Sequence, residues 1–261
     1  MNPLRSLRRR RRAPIPLPSA AMMHAIGAED AEGFVAAGRE FLGYFQDLAG
    51  LRPDERVLEV GSGAGRMALQ LAGYLDRRGT YEAFDIYKDG VEWCQQHITP
   101  RHPNFRFHHA DLYSSRYNQA GTTRGADYVF PWDDDSFDFA FLTSVFTHLL
   151  PEELEHYMGE IVRVLRPGGR CLITWFLLNQ ESKARLAEGR GPLSFIPQDD
   201  VYWVNSYEVP EWAVAYDEAY VLGRYQHNGL VPRQPFEYGA WCGREEFLTA
   251  HDIIVADLDP T

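Results

Sequence analysis

A chain of 261 residues with 45% hydrophobic and 13% aromatic side chains can build one α/β domain with a sizeable core, and no apolar run nears the ~18–20 residues that span a bilayer. The formal charge of −11 hides six arginines and no acid in the first twelve residues; the rest is more acidic still, repels phosphate backbones, and excludes nucleic acid as the expected partner. Cys94, Cys171 and Cys242 are far apart and odd in number, which argues against a disulfide framework or a cysteine-built zinc site and fits a reduced, cytoplasmic protein.

In chain order, Arg5, Arg8–Arg12 and the segment Pro14-Ile15-Pro16-Leu17-Pro18 read as a disordered tail over residues 1–20. Peripheral contact with anionic lipid or another polyanion is the sharper alternative for the arginines, and a short transit peptide is another. A secretory signal fits poorly, because no apolar stretch follows the charges. Residues 21–261 are expected to form a single domain.

Residues 29–48 are predicted helical, with Phe34, Gly38, Phe41, Leu42 and Phe45 on one face. Short apolar strands are predicted at 56–60, 80–86, 104–110, 137–142 and 170–176. Helices are predicted at 66–75 and 91–98, and a third opens at Pro151 and stops at Pro167-Gly168-Gly169. Residues 177–209 look irregular, 210–225 reads as an aromatic-rich helix, and 231–238 and 253–258 read as the last two strands. Repeated alternation with buried strands predicts an α/β, doubly wound, mostly parallel seven-stranded sheet with helices on both faces.

Val57-Leu58-Glu59-Val60-Gly61-Ser62-Gly63-Ala64-Gly65 runs a strand into glycines and straight into a helix. Glycines let the main chain turn sharply and let a ligand lie against it, in the crevice at the carboxyl ends of the strands. A dinucleotide loop would need glycine where Arg66 stands, and a triphosphate loop would need a Gly-Lys-Ser/Thr ending that is absent.

The stretch resembles the first motif of the class I S-adenosylmethionine-dependent methyltransferases, with Glu59 two places before Gly61, Gly63 and Gly65. Asp85-Ile86 at the end of the second strand matches the family's ribose-binding acid, and Asp111-Leu112 after the third matches its adenine contact. Residues 136–143, ending at Thr143, resemble the fourth-strand motif, and 164–170 the turn into the fifth. The motifs keep the family's order over roughly 51–176. The resemblance implies a Rossmann-like fold and an S-adenosylmethionine site drawing on Glu59, Gly61, Ser62, Gly63, Gly65, Asp85, Ile86, Asp111, Leu112 and Thr143. It divides the domain into a cofactor half, 51–176, and a substrate-shaping, aromatic-rich lid or insertion, 177–241.

Methyl transfer is an in-line displacement in which the protein chiefly aligns the acceptor and excludes water, with a base where the acceptor is a hydroxyl. His148, at the end of Thr143-Ser144-Val145-Phe146-Thr147-His148, is the expected base. His108 or His109 is an alternative, and His251-Asp252 reads as a structural pair. Asp133-Asp134-Asp135 is the only run suggesting a divalent metal, and no metal ligand is assigned. Asp138 reads as structural. The connection from Tyr113 to Trp132, with Tyr117-Asn118 and Phe130-Pro131-Trp132, leads to the mouth of the fourth strand, and Tyr202-Trp203, Tyr207, Trp212, Tyr216 and Tyr220 are candidates for a substrate wall, half or more of these more simply core.

The expected activity is methylation of a small molecule, at a hydroxyl of a sugar, glycolipid or natural product. N-methylation of a small amine and a catalytically silent S-adenosylmethionine-binding partner subunit are the alternatives. A homo-oligomer is left open.

Overall fold

The computed structural model describes residues 14–259. The arginines at 5 and 8–12 lie outside them. Within the rest of the expected tail, Ile15 packs on the core and Pro18 is buried, so packed chain begins before residue 21. Ser19 then caps a helix that sequence reasoning missed, α1 (Ala20–Ala25), by accepting the Met22 N–H at 3.3 Å. Asp30 caps α2 (Ala31–Asp47) in the same way through the Gly33 N–H at 2.7 Å.

From there strands and helices alternate: β1 (Arg56–Val60), α3 (Arg66–Tyr74), β2 (Thr80–Asp85), α4 (Lys88–His97), β3 (Phe105–His109), β4 (Phe137–Leu142), α5 (Pro151–Val164) and β5 (Leu165–Trp175). These boundaries lie within a few residues of the pattern, except at β5. There α5 ends before Pro167, and the chain pairs with β4 already at Leu165, with a shift of register between Phe137 and Phe139 that accommodates Pro167-Gly168-Gly169.

The final third departs further. After β6 (Leu177–Leu178) the expected irregular stretch contains α6 (Gln180–Ala187), capped by Asn179, then β7 (Ile196–Pro197) and β8 (Tyr202–Val204). The helix expected over 210–225 is instead a single turn at 210–212, a strand β9 (Val214–Asp217) and a later helix α7 (Glu218–His227). Val214, Ala215 and Tyr216 are all fully buried, as in a strand covered on both faces. The strand expected over 231–238 shrinks to β10 (Leu230–Pro232); Pro232 and Pro235 have no N–H for a ladder. β11 (Asp252–Leu258) is the last described element.

The main sheet has seven strands in the order β10-β11-β5-β4-β1-β2-β3, with β1 to β5 parallel and β11 antiparallel to both of its neighbours. This is the α/β doubly wound sheet that the alternation predicts, and the Rossmann-like fold that the resemblance implies. Side-chain alternation divides the core in two. Leu58, Val60, Leu142 and Ile173 meet α5 and α7 on one face; Val57, Phe139 and Phe141 meet α2 and α3 on the other. Phe45 seals the second face, with its ring 4.3 Å from that of Phe141.

A second sheet, β6-β9-β8-β7, stands beside the end of β5. Asp252 fixes it there: its buried carboxylate accepts the N–H groups of Leu177 at 2.7 Å and Gly239 at 2.6 Å, the Trp241 indole at 2.7 Å and the Arg244 guanidinium at 3.1 Å. Burial raises this carboxyl to about 6 against those bonds. Asp138 is structural as expected, accepting the Arg56 N–H at 2.7 Å and pairing with Arg166. The three cysteines are free and buried.

Candidate active site

The strand order reverses direction between β1 and β4, and the crevice beyond their carboxyl ends is where an open sheet of this kind holds ligands. A cavity of about 1070 Å³ occupies it. That is at the upper end of the ~300–1,000 Å³ typical of small-molecule sites, room for a donor and an acceptor together.

Its floor is the turn after β1. Gly61, Gly63 and Gly65 take φ of +86°, +52° and +78°, the left-handed region that side chains avoid. A Cβ on Gly61 would stand 2.4 Å from Val145 Cγ2, and one on Gly63 would stand 2.9 Å from Ile26 Cγ2. The loop is therefore closed between α1 and the segment after β4. Asp85, ending β2, ties the same loop down: Oδ2 accepts the Gly63 N–H at 2.5 Å and Oδ1 the Tyr87 N–H at 2.7 Å. Burial raises the Asp85 carboxyl, and those N–H bonds oppose the rise.

Of the residues assigned from sequence to the cofactor, Glu59, Gly61, Ser62, Gly63, Asp85, Ile86, Leu112 and Thr143 line this cavity. Gly65 does not; it caps α3 and backs onto Cys94. Asp111 also lies outside it, exposed in an adjoining cleft with His109 and Asn118, where Oδ2 accepts the Thr122 hydroxyl at 2.9 Å. The two hollows share Ile86, Tyr87 and Tyr117. Left-handed glycines under a tight cover, a carboxylate with lone pairs to spare beside them and the unbonded hydroxyl of Ser62 suit the methionine and ribose parts of S-adenosylmethionine.

The opposite wall holds His148, in a single turn after β4. Its Nδ1 stands 2.9 Å from the Glu211 carbonyl and 3.1 Å from Arg116 Nη1. Only one of these can be a hydrogen bond at a time. The Glu211 carbonyl can only accept and is the nearer of the two, so Nδ1–H to that carbonyl is the consistent assignment. That leaves Nε2 as the bare, proton-accepting nitrogen. Burial and the Arg116 charge hold the imidazole down at about 3, so it is neutral at every physiological pH.

Sequence reasoning missed Arg116 and Glu211. Arg116 lies between two rings, with its guanidinium carbon 4.6 Å from the Tyr117 centroid and 4.0 Å from that of Trp212. It also missed that His251 faces the cavity. Its Nε2 is 3.1 Å from the Ser144 hydroxyl, its ring stacks on Phe176 at 4.9 Å, and Ser144 has a strained φ of +58°. Burial and Arg66 hold His251 down at about 4.

The expected substrate wall is partly corrected. Tyr113, Tyr117 and Trp212 line the cavity, whereas Phe130 and Tyr216 are core and Tyr207 is exposed elsewhere. His108 bonds Glu82 at 2.8 Å, away from the site. Asp134 is paired with Arg163 at 3.0 Å, and no group of three or more His, Cys, Asp or Glu poised to hold a metal occurs among the described residues.

The family model described as "Methyltransferase domain" matches residues 58–173. A fatty-acid O-methyltransferase of Mycolicibacterium smegmatis is 34% identical over 122 residues, which cover 46% of this chain and 36% of that protein. A phthiotriol/phenolphthiotriol dimycocerosates methyltransferase of Mycobacterium ulcerans is 31% identical, covering 46% and 37%. The chain thus spans little more than a third of the length of these relatives. In fold it is similar to the Burkholderia thailandensis 1,6-didemethyltoxoflavin-N1-methyltransferase, solved with its substrate and S-adenosylhomocysteine, at a TM-score of 0.53 and 17% identity over 94% of this chain and 92% of that one.

Proposed function

We propose, from the premise that residues 58–173 form a class I S-adenosylmethionine-dependent methyltransferase domain, that the chain methylates an oxygen of a small molecule with an apolar body. The observation that carries this reading is that one cavity joins the glycine loop and Asp85 to His148 and an aromatic mouth. Tyr113, Tyr117, Trp212, Phe247 and Leu248 are large apolar side chains between 39% and 56% exposed, and all five line that mouth. Exposed apolar side chains gathered at a cavity mark a surface that binds an apolar group. The relative named for a fatty acid supports an acceptor of that kind. A hydroxyl of a glycolipid or natural product fits both the mouth and the base; a bare sugar fits the mouth less well.

The bound sulfonium supplies its own activation. What the protein adds is alignment and a destination for the acceptor's proton. His148 Nε2 serves as that destination. An imidazole so hard to protonate takes the proton in step with transfer, not ahead of it. Tyr117, whose ring is 5.7 Å from that of His148, and Trp212 hold the acceptor body. We assign the cofactor roles to Glu59, Gly61, Ser62, Gly63, Asp85, Ile86, Leu112 and Thr143, with Asp111 contributing from the adjoining cleft and Gly65 only shaping the turn. No described helix is long and apolar enough to cross a membrane, and the three free thiols suit a cytoplasmic setting.

The test is transfer of labelled methyl from S-adenosylmethionine into a cell extract divided into small-molecule, lipid, protein and nucleic-acid fractions. Label in the small-molecule or lipid fraction is the expected result. Label confined to protein or nucleic acid overturns the proposed acceptor.

A further inference from the structure

Among the described residues, Arg66 and Arg116 are the arginines that line the cavity, and no lysine does. Arg66 opens α3 on the side of the glycine loop. Arg116 belongs to the facing wall, where the acceptor would lie.

The half-buried Arg116 is held between the Tyr117 and Trp212 rings and tied through one nitrogen, Nη1, to the Trp212 carbonyl at 2.7 Å. Nε and Nη2 bond to no group among the described residues, and no acid pairs with the guanidinium there. Burial lowers its basicity and no carboxylate's charge opposes that. The acids on the same wall are engaged elsewhere: Glu211 accepts from Ser115, and Glu153 accepts the Leu150 N–H at 3.2 Å. A guanidinium fixed by stacking, with most of its fork open and its charge unmatched, is prepared for a planar anion.

We propose that Arg116 seats a carboxylate of the acceptor, so that the molecule methylated is a hydroxy acid whose acid group lies a few bonds from the reacting hydroxyl. The spacing comes from the wall itself. Arg116 Nη1 stands 3.1 Å from His148 Nδ1, and a single ring carbon separates Nδ1 from the proton-accepting Nε2. An anion on the fork and a hydroxyl at Nε2 are therefore close neighbours. The apolar body of the same molecule then runs out along Tyr117 and Trp212. A phosphate matches less well, because Glu153 and Glu211 line the cavity beside this one guanidinium and oppose a second negative charge.

Such an anion would also help the chemistry. After burial, the Arg116 charge is the largest influence holding the imidazole unprotonated. A carboxylate on the fork offsets that charge, so the correct acceptor strengthens the base that receives its proton. The proposal rests on the methyltransferase reading of the cavity and on His148 as its base. It narrows the acceptor to one with a neighbouring acid.

The test is calorimetric titration of the full chain, saturated with S-adenosylhomocysteine, with 3-hydroxydecanoate and with its methyl ester. Wild type is expected to bind the acid at least about tenfold more tightly than the ester, the scale of one charge-assisted contact. Arg116→Met should erase that preference while changing affinity for the ester by no more than about twofold, a pattern that a merely structural arginine would not give. Arg116→Lys keeps the charge without the fork and should retain part of the preference. Unchanged binding of S-adenosylhomocysteine shows that each variant is folded. Should Arg116→Met fail to fold, wild type and Arg116→Lys carry the same comparison. With labelled S-adenosylmethionine, the methyl should enter 3-hydroxydecanoate as an alkali-stable ether. No binding of the acid, equal affinity for acid and ester, a preference that survives Arg116→Met, or label released by alkali as an ester overturns the proposal. Wild type that does not bind S-adenosylhomocysteine overturns the methyltransferase reading beneath it.

Discussion

Glu211 and Ser115, 96 positions apart, are joined by one carboxylate oxygen: Glu211 Oε2 accepts the Ser115 backbone N–H at 2.7 Å and its hydroxyl as well. Through this contact the loop after β3 and the turn before β9 meet over the cavity. The same turn offers the Glu211 carbonyl to His148 and the Trp212 carbonyl to Arg116. One side chain thus holds together the two pieces that orient the proposed base.

Glu211→Ala is expected to loosen both pieces without unfolding the sheet. Hydrogen bonds to a charged acceptor are worth ~1.5–3 kcal/mol each, so amide exchange at residues 113–118 and 210–213 should accelerate at least about tenfold. Exchange in β1 and β4 should be unchanged. Uniform acceleration across the sheet, or none in the two loops, would show that the contact does not govern the cover.

His148 sets an acid limit on stability. Its ordinary value near 6.5 applies to the unfolded chain, and about 3 applies to the fold, so below 6.5 the unfolded chain takes up a proton that the fold refuses. The His148 contribution is fully present above that range and is lost as pH falls towards 3. Between pH 7 and pH 5 the stability of wild type relative to His148→Gln should drop by ~2 kcal/mol, the linkage value for one such group. Urea midpoints of both proteins across that interval measure it. A gap that stays constant with pH would mean that the imidazole titrates normally in the fold.

Gly61→Ala places a methyl where Val145 Cγ2 is 2.4 Å away, on a backbone with φ of +86°. Strain and overlap together should cost ~2–4 kcal/mol and abolish S-adenosylhomocysteine binding, because the floor must move to admit the new atom. Gly73→Ala is the control. Nothing lies within 4 Å of its added Cβ, and alanine suits α3 better than glycine, so stability should hold or rise. If Gly61→Ala binds the ligand like wild type, the close cover over the loop is not required.

The first five strands were legible because β1, β4 and β5 carry short apolar runs buried on both faces, β2 and β3 alternate buried with more exposed residues, and all are bounded by turns, patterns a helix of that length does not produce. Residues 210–225 misled because Trp212, Val214 and Tyr216 are spaced equally well for a strand and for part of a helical stripe. The deciding residue was Asp217, which accepts the Ala219 and Tyr220 N–H groups and marks where α7 begins. Asn179 and Ser19 gave the same kind of signal for α6 and α1. In the site, the glycines and Asp85 sit on one contiguous motif, so spacing finds them. Arg116, Glu211 and His251 meet His148 or Ser144 only after the sheet and its covering pieces have folded, and no local pattern announces that.

The cavity has two walls with different origins. The glycine loop and Asp85 are continuous with strands of the sheet and cannot move without it. The facing wall is assembled from residues 113–117, 211–212 and 247–251, three stretches that belong to no strand. On the proposed function, a change of acceptor therefore need not disturb the donor. Exchanging those stretches for others of matching span would give the same transfer machinery a new customer, which makes them the natural places to graft when redirecting this scaffold.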